Sequence, residues 1–242
     1  MLTAEILDGL GYAPAGRGIE IGLDDASSVQ VRPIESGQYV AMFRDRLGDH
    51  NPALLTPAPW PAAIDPRDRK LWMGRLNGGR ALYVGYDSTR VETAAFARRL
   101  VATCARDAPE RIIVDLRRNG GGNNTTYGPL VEVLATPTAA RLIVVMGRAT
   151  FSAAGNLAAE LRAFKHAVFV GEPSGGGVDQ YGDVVPVVLP ATGWAVRVPT
   201  LLHDRTYGSR RRLAVEPDVA VEPAIEDVLA GRDPILEEAL RA

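Results

Sequence analysis

Cysteine is almost absent from this sequence. Cys104 stands alone, so no internal disulfide framework can form, and a reducing compartment fits that usage. Lysine is nearly as scarce: only Lys70 and Lys165 stand among the 27 basic residues, which leaves few lysines to act as a base. Histidine is limited to His50, His166 and His203. No apolar run approaches the length of a membrane span, and the start, MLTAEILDGLGY, lacks the basic and apolar regions of a signal peptide. These absences point to a cytoplasmic protein without a membrane partner; a secreted parent protein is left open. A net charge of −2 gives no global attraction to nucleic acid. What is present is ordinary for a globular chain: 46% hydrophobic and 23% charged residues over 242 positions, enough for one domain with a sizeable core.

Three zones follow one another. Residues 1–80 are mixed. LTAEILDGLG reads as a short helix, IEIGL and VQVRPI as antiparallel strands, and NPALLTPAPWPAAIDPRDRKLW (51–72) as irregular, because proline removes donors and fixes φ. From residue 81 bare apolar strands alternate with helices. The strands are ALYVGY, RIIVDLR, RLIVVMG and AVFVGE. The helices are RVETAAFARRLVATCAR, with Val91, Ala94, Ala95, Leu100, Val101 and Cys104 at helical spacing, then YGPLVEVLA and SAAGNLAAELRAF. That alternation predicts an α/β fold with a mostly parallel sheet covered on both faces. Residues 171–242 hold a Gly-rich loop, two more strands (VVPVVL and WAVRVPTLL), the SRRR run, read as a solvated turn, and a helix pair broken at GRDP. The segment 1–80 is expected to pack on or lead into a core at 81–242.

Two loops carry the candidate chemistry. RIIVDLR runs into RNGGGNN, where a glycine cluster lets backbone N–H groups converge. The GxxxxGK[ST] and GxGxxG spacings are missing, which argues against a nucleotide site. RLIVVMG runs into RATFSAAGN, leaving Ser152 where a buried strand becomes a helix. Ser152 either caps that helix or is presented as a nucleophile. Neighbouring parallel strands bring their C-terminal loops together. A serine hydroxyl, the Ala153 N–H at a helix start and an N–H from the Gly loop are then the parts of a nucleophile and an oxyanion hole. On this reading the Gly120–Gly122 loop and the Ala153 N–H face one another across a cleft.

RIIVDLRRNGGGN, TFSAAGNLAAEL, AVFVGEPSGGG and AVEPDVAVEP with AGRDPILEEAL, in that order, resemble the C-terminal processing (tail-specific) serine peptidase family. The likeness covers residues 81–240 and extends to the tricorn-like and interphotoreceptor retinoid-binding relatives. It implies a ClpP/crotonase-like core of stacked β-β-α units, here without a PDZ domain. It also implies peptide-bond hydrolysis through an acyl-enzyme at Ser152, with Ala153 and Gly122 as oxyanion donors and Gly121 as the fallback. The implied partner is a peptide or unfolded protein, with no metal or organic cofactor; homo-oligomerisation is left open.

The departures bear on the base. Gly177 stands where Ser–Lys members carry their lysine, and Lys165 reads as a solvated helix end. Tricorn-like members use an upstream histidine and a glutamate near the PD motif. No DGHT-like segment is present, position 211 is arginine with Glu216 nearby, and Gly155 replaces the glutamate of an SAAE pattern. His50 reads as an exposed loop residue and His166 as packed. His203, at the end of its strand, is the histidine placed to face the cleft, with Asp183, Tyr181 and Gln180 along its rim. The chain is therefore expected to be a fragment or a diverged member that turns over peptides poorly. The alternative is a non-catalytic protein that binds a peptide or a small apolar ligand in the same cleft.

Overall fold

The computed structural model describes residues 11, 19–22, 26–31, 70–204 and 213–242. The chain divides into two compact units, Met1–Leu55 and Thr56–Ala242. In the first, β1 (Ile19–Gly22) and β2 (Ser28–Val31) form the antiparallel pair that the sequence predicts, with Ile19 opposite Val31. The helix-like start, His50, the proline-rich stretch up to residue 69 and the SRRR run lie outside the described residues.

The second unit runs β3 (Leu71–Leu76), β4 (Ala81–Tyr86), α1 (Ala94–Asp107), β5 (Arg111–Asp115), α2 (Gly128–Ala135), β6 (Arg141–Met146), α3 (Ala153–Arg162) and β7 (Ala167–Gly171). It continues with β8 (Gln180–Val188), β9 (Ala195–His203), β10 (Val219–Ala220), α4 (Ile225–Leu229) and α5 (Pro234–Arg241). Six strands form one sheet in the order β10-β7-β6-β5-β4-β3, parallel except at β3. Because side chains alternate along a strand, each apolar run supplies two cores. Leu82, Val84, Ile112, Val114, Leu142 and Val144 face α1, α2 and α3. Tyr83, Ile113, Ile143 and Val145 face the other way, onto Ile235 and Ala239 of α5.

Two expectations change. The end of the proline-rich stretch is not irregular: Leu71 and Trp72 begin β3, which turns at Asn77-Gly78-Gly79 and pairs with β4. Asn-Gly between apolar runs is a hairpin signal, both residues taking the positive φ such turns require. The Trp72 ring lies where a Cβ on Gly85 would be only 2.4 Å away, so glycine there makes room for it. Second, the buried stripe of α1 is Phe96, Ala97 and Leu100, while Val101 is half exposed. The stripe is rotated towards the one aromatic of the helix, the largest apolar surface available to it.

β8 and β9 form a separate hairpin whose apolar side chains, Trp194 at 73% exposure among them, stay open to solvent. The Leu189 N–H donates to the Trp194 carbonyl. Counting by twos from that pair through the register, Pro186 and Pro199 fall where an N–H would point outward, so each free edge is interrupted by a proline.

The far face is fastened by charge. Arg117, just past β5, bonds Asp115 and Asp233 at once (Nη2 to Asp115 Oδ2 2.6 Å, Nη1 to Asp233 Oδ1 2.8 Å). Asp233 also caps α5, accepting from the Leu236 N–H at 3.0 Å, and the Tyr83 hydroxyl donates to Asp115 at 2.6 Å. Burial by itself would raise the Asp115 pKa, but Arg117 and these hydrogen bonds outweigh it and hold the carboxyl below its ordinary value. Removing the cation strands two carboxylates that are almost fully buried. Arg117→Met is therefore expected to cost about 3–5 kcal/mol, read as a lower urea midpoint at unchanged slope.

Candidate functional site

The site lies at the C-terminal ends of β5 and β6, adjacent and parallel with Val114 beside Val144. After β6 the turn Gly147–Thr150 is tied down from inside. The buried Thr150 hydroxyl donates to the Leu116 carbonyl at 2.9 Å and accepts from the Gly147 N–H at 3.1 Å. Ser152 follows with φ 55 and ψ −129, immediately before α3. Its side chain makes no capping hydrogen bond, so the helix-cap reading of this serine does not hold.

The loop after β5 is held by Asn119, which is fully buried. Its Nδ2 donates to the Tyr86 carbonyl at 2.8 Å, its Oδ1 accepts from the Gly121 N–H at 3.0 Å, and its carbonyl accepts from the Phe151 N–H at 3.1 Å. One residue thus ties the end of β4 and the Gly loop through its side chain, and the serine turn through its carbonyl. Sequence reasoning passed over it as a letter in RNGGGNN, although an amide next to a glycine cluster is the residue type that satisfies loop backbone groups.

These anchors bring Gly121 against the serine turn. A Cβ on Gly121 would lie 2.7 Å from the Ser152 Cβ and 2.9 Å from the Ala153 nitrogen. Gly122 turns the other way: a Cβ there would meet Arg90 and the Thr89 hydroxyl, and it forms a parallel bridge with Thr89. Among the described residues, neither the Gly122 nor the Ala153 N–H is hydrogen-bonded within the chain, whereas that of Gly121 is taken by Asn119.

His203 and Asp183 meet, His203 Nε2 lying 2.6 Å from Asp183 Oδ2. Asp183 has a φ of 52, uncommon outside glycine. His203 sits opposite Gln180 in the hairpin register, and Gln180 Nε2 donates to the Ser152 carbonyl at 2.8 Å. Among the described residues no side chain hydrogen-bonds the Ser152 hydroxyl. Tyr181, Lys165 and Glu216 are exposed, and position 211 lies outside the described residues. His166 lines a groove of about 520 Å³ with Leu100, Cys104, Ile112 and Leu142, at the opposite end of the strands from Ser152, and bonds the Leu134 carbonyl at 3.0 Å. Among the described residues no three His, Cys, Asp or Glu side chains converge as a metal site, and no helix is long and apolar enough to cross a membrane.

Asp87, past the end of β4, pairs with Arg118 at 2.9 Å. Burial nevertheless pushes its pKa up to about 6, the Arg118 charge offsetting only part of the desolvation.

Compared with solved structures, the chain resembles three proteins of one kind. A protein from Parabacteroides merdae assigned as a peptidase matches with a TM-score of 0.59 and 20% identity, over 100% of this chain and 83% of that one. A protein from Bacteroides fragilis assigned as an S41 protease matches at 0.50 and 13%, over 93% of this chain and 64% of that one. Mature CPAF matches at 0.52 and 12%, over 95% and 67%. The fold is that of the S41 peptidases. No family model and no curated protein matches the sequence. The S41 likeness thus rests on the path of the chain.

Two tests address this geometry. Gly121→Ala should cost about 1–3 kcal/mol, since alanine at φ 100 is strained and its methyl group would press on the Ala153 N–H. Urea unfolding measures the loss. For Asp87 the folded pKa lies above the unfolded value, so its carboxyl contributes most below about pH 4, and that contribution is lost as pH rises to about 6. Asp87→Asn should therefore gain on wild type in unfolding free energy between pH 4 and pH 7.

Proposed function

We propose that the chain is a serine peptidase of the tail-specific type with a ClpP/crotonase-like core, hydrolysing peptides or unfolded protein through an acyl-enzyme at Ser152. The observation that carries this reading is the serine's place: an uncapped hydroxyl on a strained backbone, beside an Ala153 N–H left open by the missing side chain of Gly121. Ala153 and Gly122 are the donors assigned to the oxyanion hole, both N–H groups being unclaimed within the described residues; Gly121 serves as the spacer that keeps Ala153 uncovered. The start of α3 adds its positive end to the stabilisation of a tetrahedral oxyanion. In this scheme the Ser152 Oγ attacks the scissile carbonyl carbon, its proton passes to a base, the amine leaves protonated, and water releases the acyl group by the reverse sequence.

The His203–Asp183 pair has the form of a base with its orienting carboxylate, but its bond runs to Asp183 and not to the serine. That separation supports the slow turnover expected of this chain. It also favours, as a second reading, a cleft that binds peptides without cleaving them.

A fluorophosphonate probe should label wild type and fail to label Ser152→Ala. Cleavage of an unstructured peptide by the same preparation should be slow and should change less than twofold in His203→Gln. Fast cleavage lost in His203→Gln would make the His203–Asp183 pair the base. Binding of the peptide with no labelling at all would establish the second reading in place of the first.

A further inference from the structure

The serine turn is not held only from the Asn119 side. Gln180, at the start of β8, places its Nε2 2.8 Å from the Ser152 carbonyl and 3.2 Å from Asn156 Oδ1. Asn156 lies four residues after Ser152 on the same face of α3 and is 1% exposed. Its Nδ2 in turn donates to Asn124 Oδ1 at 2.9 Å, and Asn124 ends the Gly loop. Three side-chain amides thus run in a line from the start of β8, across the serine helix, to the loop after β5.

The sense of the line is fixed by one backbone group. A carbonyl only accepts, so the Gln180 amide must turn its NH₂ towards Ser152. The same NH₂ then requires the oxygen of Asn156, which leaves the Asn156 NH₂ for Asn124. No member can flip without placing two like groups together, so the chain has a single bonded state. Two glycines make the slot. A Cβ on Gly155 would come within 3.3 Å of the Gln180 Nε2, its sole neighbour within 4 Å, and one on Gly176 within 2.8 Å of the Gln180 Oε1.

We infer that Gln180, Asn156 and Asn124 are positioning residues that set the spacing between the serine turn and the Gly loop. Gly155 is small so that the Gln180 amide can reach the Ser152 carbonyl. The inference rests on the peptidase reading for its effect on rate, but not for its effect on the loops. The line acts on the two backbone segments that carry the Ala153 and Gly122 N–H groups. Its loss should therefore slow acylation and leave substrate affinity alone, since misplacement of about 1 Å costs on the order of 100-fold in such steps. Gly155→Ala offers a separation from mere stability. Alanine is the better helix former, which offsets most of the cost of the hydrogen bond that the added methyl disturbs, so the unfolding midpoint should change little while the amide is displaced.

The test compares wild type, Gln180→Met, Gly155→Ala and the double variant. The fluorophosphonate labelling rate of Ser152 should fall about tenfold or more in Gln180→Met and less in Gly155→Ala. The double variant should be no slower than Gln180→Met, because both act on one contact. For any peptide that is cleaved, kcat should fall with KM unchanged. Backbone hydrogen exchange at Gly120–Asn124 and Ala153 should quicken in Gln180→Met. This arm stands even if wild type does not label, which would count against the peptidase reading alone. Unchanged exchange at these amides would overturn the inference, as would a labelling rate within twofold of wild type or additive losses in the double variant.

Discussion

Two backbone turns touch with no side chain between them, and the arrangement around Ser152 depends on that contact. Neighbouring parallel strands stand about 4.8 Å apart, so loops that leave β5 and β6 at the same level must either diverge or meet backbone to backbone. Here they meet. Gly121 supplies the missing volume, Asn119 bonds both turns from below, and the line from Gln180 to Asn124 bonds them from above. A contact of this kind has no slack, and side-chain amides surround it. Asn119 satisfies the Tyr86 carbonyl and the Gly121 N–H, and Gln180 bonds the Ser152 carbonyl, while Asn156 and Asn124 carry the line on through their side chains.

The opposite face of the sheet contributes rigidity through charge. Asp115 is the last residue of β5 and Arg117 follows two positions later, so the ion cluster that fastens α5 sits at the root of the Gly loop. A hydrophobic contact there could slide. A three-way pairing of one guanidinium with two carboxylates has one good geometry, and it carries that geometry to the loop it adjoins.

Strands that are buried on both faces announce themselves as unbroken apolar runs, and β4 to β7 were legible for that reason. β3 was not, because Gly74 and Arg75 dilute its pattern and the adjoining prolines drew attention away from the Asn-Gly turn. β10 is two residues long and exists through its pairing with β7, which no local pattern encodes. Ser152, Ala153 and the Gly cluster could be nominated from their positions after strands. The choice among the glycines depends on which N–H is already bonded, and that is a tertiary fact. Asn156 did leave a trace: an amide in the middle of the apolar face of an Ala- and Leu-rich helix is out of place unless something bonds it.

The backbone angles of Ser152 bear on the history of the chain. At a φ of 55 and a ψ of −129, glycine is the residue that fits without penalty, and every side chain there costs stability. Substitutions arise continually, and a lineage that had stopped using the hydroxyl would gain by accepting glycine at this position. Under the proposed peptidase reading, serine is held at this position against that gradient, and its change to glycine in diverged copies of the chain would mark the point at which chemistry was abandoned and only the cleft retained.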